Sequence, residues 1–391
     1  MRFVLFYHSL ISDWNHGNAH FLRGFVTELQ AQGHRVDVFE PANGWSLRNL
    51  KEQEGWSAIE AFHEAYPTLH SSLYDPEDLD LEQTLDGADV VLVHEWNDPD
   101  LVSRIGQCRA SGGRFKLLFH DTHHRAVSEP DAIQRFDLRH FDGVLAFGEV
   151  LRQIYEDRGW AARAWTWHEA ADVRRFKPSR APQEPDTDLV WVGNWGEGER
   201  AAEIEEFLIE PVVDLGLRAR IHGVRYPESA IQRLQQARID YRGWIANFRV
   251  PEVFARANFT VHIPRRFYAG MLPGIPTIRM FEALACGIPL ISAPWNDCEN
   301  LFQPGRDYLV ASNGREMREH LRLLQASPDA ARTIAEFGLQ TILERHTCAH
   351  RVAELLSICE SLESPKARTN TARPAPRMRA AQAAISDVWS A

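Results

Sequence analysis

Short apolar runs alternate with amphipathic stretches along most of the chain. Residues 3–7 form an apolar run of strand length. Phe21/Leu22, Phe25/Val26 and Leu29 then recur at helical spacing, with Gly33 where a C-cap glycine belongs. Residues 35–39 read as the next strand, which completes a β-α-β unit. The same rhythm predicts strands at 90–94, 116–120 and 143–147, and helices at 98–109 and through Tyr155. Residues 41–85 break it and read as a helical insertion. Residues 177–188, KPSRAPQEPDTD, are Pro-rich, charged and without period, as a linker should be. After them the rhythm restarts, with strands at 189–193, 218–223, 259–263, 288–293 and 308–311. From residue 364 onward a basic Pro/Ala/Arg tail is expected to be disordered. The fold class is therefore α/β: two Rossmann-like parallel-sheet domains, 1–176 and 189–363, facing a central cleft. In such sheets ligands bind beyond the carboxyl ends of the strands.

Composition narrows the partners. Forty-three Lys+Arg against 54 Asp+Glu give a net charge of −11, which argues against a nucleic-acid or anionic-membrane surface. Five cysteines, an odd number without a CxxC pair, indicate neither a disulfide framework nor a zinc cluster. The opening MRFVLFYHSL is too short for a signal-peptide core, and no apolar stretch is long enough for a transmembrane segment. A cytoplasmic location is expected. The Asp-x-Asp triplets at Asp78/Asp80, Asp98/Asp100 and Asp186/Asp188 fall in the insertion, at a helix start and in the linker, so no metal site is read from them. No GxGxxG follows the first strand, and neither a P-loop nor a G-x-S-x-G elbow occurs. Twelve Trp is a high count, and Trp14, Trp96, Trp195 and Trp295 each follow a predicted strand. Their placement suggests apolar platforms for a sugar or a base, with core packing as the alternative for each.

The most informative stretch is 264–287, PRRFYAGMLPGIPTIRMFEALACG. A helix starts near Thr277 and puts Ile278, Phe281 and Ala285 on one face. Glu282 is then a carboxylate on an apolar helix and must be bonded. A ribose with adjacent hydroxyls would satisfy it, and so would Arg279 one turn earlier. Backbone N–H groups from Gly274 and Ile275 to the helix start can cradle a phosphate or sugar. Arg265 and Arg266 form a basic pair at a strand end. In the first half, 116–124 (KLLFHDTHH) bring His120, His123 and His124 to a strand end without the spacing of a zinc site. His16, Gly17 and Asn18 open the first helix, either as a ligand loop or as a plain cap.

The run FEALACGIPLISAP, then LFQPGRDYLVA, resembles the nucleotide-binding half of family 4 GT-B glycosyltransferases, with their E-A-x-A-x-G motif. FDGVLAFGEVLRQIYEDRG and HEAADVRRFKP resemble the end of that family's first domain. VGNWGEGER and YRGW make the CgeB-like, spore-maturation-protein-type subgroup the most similar. The resemblance implies the GT-B architecture and transfer of a sugar from a nucleotide-sugar donor to an unknown acceptor. It implies retention of configuration and no metal or other cofactor. It puts the ribose on Glu282 and the diphosphate near Arg200. Gly193, Asn194, Arg265, Arg279, Trp244 and the 274–278 turn would line the donor site. His120 would lie near the reacting sugar, and His16, Gly17 and Asn18 on the acceptor side. For Arg200 the alternative is a surface pair with Glu203 or Glu197. The family's second glutamate, eight positions before Glu282, is Gly274 here. A non-catalytic sugar- or nucleotide-binding protein is the rival this motivates. An inverting transferase or an epimerase, with His120 or Asp121 as base, is the other.

Overall fold

The computed structural model describes residues 1–179, 184–196 and 198–363, apart from the side chain of Glu363. The 364–391 tail and part of the linker, 180–183, lie outside the described residues. The first sheet has seven strands: β1 (Arg2–Phe6), β2 (Arg35–Pro41), β3 (Ser71–Tyr74), β4 (Val90–His94), β5 (Lys116–Asp121), β6 (Gly143–Ala146) and β7 (Ala164–Thr166). Their order is β3-β2-β1-β4-β5-β6-β7, all parallel. The second sheet holds β8 (Thr187–Val192), β9 (Ala219–His222), β10 (Asp240–Tyr241), β11 (Ala257–His262), β12 (Leu290–Ser292) and β13 (Leu309–Val310). Its order is β10-β9-β8-β11-β12-β13, again parallel. Each sheet reverses its winding once, between β1 and β4 and between β8 and β11, and these two switch points face each other.

Apolar positions on the two faces of the first sheet explain its burial. Phe3 and Leu5 pack into one core cluster and Val4 and Phe6 into another. The first of these clusters runs on into the second domain, taking in Ile278, Phe281 and Leu284. Gly17 is one point of close contact: a Cβ there would lie 2.8 Å from Cγ2 of Ile278. The start of helix Asn18–Ala31 therefore meets the start of helix Ile278–Ala285.

The 41–85 insertion is helical over Trp45–Glu54, Trp56–Ala65 and Leu81–Leu85, and it also carries β3. Strands β3, β7 and β10 are edge or near-edge pieces of two to four residues, too short to show a period. The segment read as the second domain ends in helix Cys348–Glu363, which returns and packs on Asn18–Ala31 of the first. Ala171 and Thr347 pair at the crossing, and Trp167 donates from Nε1 to the Arg351 carbonyl at 2.9 Å. Gly24 leaves room for this return, since a Cβ there would lie 2.6 Å from the Cys348 sulfur. Among the described residues no helix is long and apolar enough to cross a membrane.

Candidate functional site

The loop after β1 is built as a rigid shelf. Arg23, fully buried, donates from Nε to the Leu10 carbonyl at 2.7 Å and from Nη2 to the Ile11 carbonyl at 2.8 Å. Glu40 accepts from the N–H of Leu10 at 2.7 Å. The same Arg23 holds Asp13 at 2.8 Å. Asp13 reaches across to the second domain, where its carboxylate accepts Trp244 Nε1 at 3.0 Å and the Asn247 N–H at 2.9 Å. Asn194 donates to Asn15 at 2.7 Å beside it. Between these bridges lies a pocket lined by Asp13, Asn15 and His16 on one side. Val192, Gly193, Asn194, His222, Gly223, Trp244, Ile245, Asn247, Val250 and Arg279 line the other. His16, Gly193, Asn194, Trp244 and Arg279, all singled out from the sequence, thus share one pocket.

Glu282 sits behind that wall. Its side chain is fully enclosed, Oε1 accepts Asn247 Nδ2 at 2.5 Å, and Oε2 pairs with Arg279. His20 Nδ1 is 3.4 Å away. Burial raises the carboxyl's pKa, and Arg279 and Asn247 oppose the rise. The local pair with Arg279 is therefore the one realised in this structure. A ribose would have to displace Arg279 to reach this carboxylate.

Arg200 is also occupied. It donates to the Ile263 carbonyl at 2.6 Å and to the Asn194 carbonyl, and its guanidinium lies 5.2 Å from the Trp191 ring. Its neighbour Glu203 pairs with Arg266 at 2.7 Å instead, and Glu197 lies outside the described residues. Burial, with Arg265 next, lowers the Arg200 pKa to about 10. Arg200 thus ties the β8 and β11 ends together rather than presenting its fork to the cleft. Arg265 pairs with Glu199 at 3.7 Å and adds to burial, the larger cause, in lowering the pKa of His16, His123 and His124. Arg265 and Arg279 both act on Arg200, so three guanidiniums gather where the two sheets face each other.

His120 is turned into the core, which corrects its place beside a sugar. The ring is fully buried, bonded from Nδ1 to Tyr7 Oη at 2.7 Å, and meets Trp167 edge-on with ring centres 4.9 Å apart. Burial lowers its pKa to about 3. The cause is strand alternation, which puts His120 on the same side as Leu118. Asp121 is likewise enclosed, accepting Tyr155 Oη at 2.8 Å. The imidazoles at the cleft floor are instead His8, His16 and His123, gathered around Trp96. His8 and His16 are 4.2 Å apart between ring centres, and Trp96 lies 5.8 Å from His8 and 5.1 Å from His123. The sequence reading missed His8 as a site residue, although it lies two residues past the end of β1. Asn18 faces inward, donating to His94 at 2.9 Å and to Thr122 at 2.8 Å. It ties β4 to β5 and leaves Gly17 as the cap of the first helix.

The turn 274–278 divides in function. Gly274 has φ +87°, its N–H bonds the Asn296 carbonyl at 2.6 Å, and a Cβ would lie 2.5 Å from Oε1 of Glu299. Glu299 accepts from the Glu149 N–H and from His168, both at 2.9 Å, which joins the domains. Ile275 is a buried peg in the first domain's core, against Gly148. Neither residue is open to a donor. Thr277 bonds His262 at 3.0 Å, and Ile278 and Arg279 begin the helix, where backbone N–H groups have no partner within the helix.

The four tryptophans separate. Trp14 is buried, bonded to Gln53 at 3.0 Å, and Trp195 packs on Tyr226 at 5.4 Å, so both serve the scaffold. Trp96 is 39% exposed over the histidine floor, and Trp295 lines an open groove with Arg266 and Asn296. Among the described residues no group of three or more His, Cys, Asp or Glu is placed to hold a metal ion.

Residues 200–357 match the glycosyl transferase-like family model. No curated protein matches the sequence. Solved structures share the whole architecture. The Anabaena protein HepE, solved with UDP, aligns at 15% identity and TM-score 0.63, over 92% of this chain and 100% of its own. A sucrose-phosphate synthase from Thermosynechococcus elongatus gives 14% and 0.59, over 93% and 99%. The T4 phage enzyme BGT, solved with its UDP-glucose substrate, gives 12% and 0.58, over 93% and 100%. The fold is thus GT-B, two Rossmann-like domains across a cleft, with a glycosyltransferase-type domain in its second half.

Proposed function

We propose that this chain is a glycosyltransferase that takes a sugar from a nucleotide-sugar donor, without a metal, and passes it to an acceptor held on the first domain. The observation that carries the reading is the interdomain pocket. It opens beside two converging helix N-termini and Arg279, on a GT-B frame whose second half matches a glycosyl transferase-like family. Helix N-termini and guanidiniums favour a diphosphate. The nucleoside would enter at this pocket between the domains, with Arg279 and the first-turn N–H groups of Ile278–Ala285 on the diphosphate. Glu282 is then a positioning residue that holds Arg279 and Asn247 at the pocket wall. The sugar would lie towards His16, His8 and His123, under Trp96. By resemblance the chemistry is retaining and front-face. The bond from the anomeric carbon to the donor phosphate oxygen breaks, and a bond to the acceptor oxygen forms on the same face. The acceptor's proton passes to the departing phosphate oxygen. No protein nucleophile is needed, and the chain's part is orientation and stabilisation of the leaving charge. Membership of the CgeB-like subgroup and a cytoplasmic site of action complete the proposal. Transfer stays with a domain of the family type even though Gly274 replaces a glutamate; a protein that binds the donor without transfer is the second reading this glycine favours.

Purified protein mixed with UDP-, GDP-, ADP- and dTDP-sugars separates these readings. Release of nucleoside diphosphate that depends on the sugar, lost in Arg279→Ala, is the expected result. Binding without release selects the second reading, and no binding of any nucleotide overturns both. The anomeric configuration of the product decides between retention and inversion.

A further inference from the structure

One polar side chain in the pocket has no use in the fold. His222 ends β9, and its backbone is pinned on both sides. Its carbonyl accepts the Gly193 N–H at 2.8 Å, and the Gly223 N–H bonds the Gly243 carbonyl at 2.8 Å. Gly223 admits no side chain, because a Cβ would stand 2.0 Å from the Gly193 carbonyl oxygen. The imidazole is 8% exposed, lines the pocket, and has no hydrogen-bond partner at either ring nitrogen. Buried polar atoms of a native protein are nearly always satisfied. Burial first, then Arg220 and Arg242, lower the ring's pKa to about 4 against the pull of Asp240, so it is neutral at pH 7.

Resting on the donor-site reading above, the geometry points to His222 as the residue that reads the donor's nucleobase. A neutral imidazole carries one N–H donor and one acceptor nitrogen. The nitrogen turned to the pocket can bond one atom of a base edge, as donor or acceptor according to tautomer, and a neutral ring suits a phosphate poorly. The walls around it agree, since Val192, Ile245 and Val250 offer apolar contact to a flat ring. The cationic group of the pocket, Arg279, supplies the place for the phosphates. Trp244 is held by Asp13 of the first domain, so the base-reading wall is complete only with the domains together. Sequence alone gives little hint of this, because a histidine at a strand end is common in any α/β chain.

Calorimetric titration of UDP, GDP, ADP and pyrophosphate into wild type, His222→Ala and His222→Asn tests the assignment. Wild type should prefer one base. His222→Ala should weaken that nucleotide about tenfold and level the three, with pyrophosphate unchanged. His222→Asn keeps a donor and an acceptor and should recover part of the preference. Unchanged preference in His222→Ala overturns the assignment, and so does equal loss of pyrophosphate. Failure of wild type to bind any nucleotide overturns the donor-site reading itself. The melting temperature without nucleotide confirms that each variant is folded.

Discussion

A carboxylate with no exposure on an apolar helix is stable only while every oxygen is bonded. Glu282 meets that condition through Asn247, Arg279 and the nearby His20, which come from three separate parts of the chain. Removing it strands a guanidinium and an amide together. Glu282→Ala should therefore cost about 3–5 kcal/mol, read as a lower urea midpoint, and Glu282→Gln should cost less. An unchanged midpoint for the alanine variant would refute the positioning role. At this scale the sequence grouped Glu282, Arg279, Asn194 and Trp244, and the structure places Arg279, Asn194 and Trp244 on one pocket with Glu282 behind its wall. It could offer Arg279 as Glu282's partner, because that contact is one helical turn long. Asn247 and His20 could not be found so, since their contacts depend on tertiary packing. His120 misled for a related reason: a strand end was visible in KLLFH, but which face the ring took was not.

Elements were legible where they were long and periodic. The central strands and the helix starting after Thr277 fall where the apolar spacing puts them. Edge strands such as β10, two residues long, carry no period to read. Nor did the pattern tell where the last helix packs, because an amphipathic face records burial without naming its partner. Helix Cys348–Glu363 buries Val352, Leu355 and Cys359 against the first domain. At roughly 1.5–3 kcal/mol for each such side chain, its loss forfeits about 5–9 kcal/mol, within the range of a domain's whole stability. Ending the chain after Thr347 should therefore abolish a cooperative thermal transition in the first domain. A truncated protein that melts as sharply and as high as the full chain would show that the helix contributes little.

On the scale of the whole molecule, the net charge of −11 hides a cationic cleft and a set of neutral buried imidazoles. His20, His120, His262 and His346 each have a pKa lowered to about 3, first by burial. Unfolded, they titrate near 6.5. Between those values the unfolded chain binds the extra protons, so stability is lost as pH falls below about 6.5. Glu169 runs the other way. Burial, with the Glu282 charge next, raises it to about 8, so the folded state keeps a proton that the unfolded state releases above about 4.5. Its contribution is lost as pH rises towards 8. Glu95, raised to about 8, and Asp121, raised to about 6, both first by burial, act in the same direction. The lowered histidines outnumber these carboxyls, and the melting temperature should fall clearly from pH 7 to pH 5. A melting temperature that rises on acidification would contradict this balance.

The chain crosses between its domains in two places, and the two crossings lie against each other. Ala171 takes the His346 carbonyl at 2.8 Å and returns its own carbonyl to the Cys348 N–H at 3.0 Å. Bodies joined by one flexible tether keep three rotational degrees of freedom. Bodies joined by two bonded segments side by side keep, as a soft motion, only a bend about the line of the strap. Any opening of this cleft would thereby be reduced to a single angle. Closing along that one angle would bring Asp13 back to Trp244 and Asn247 in the same register.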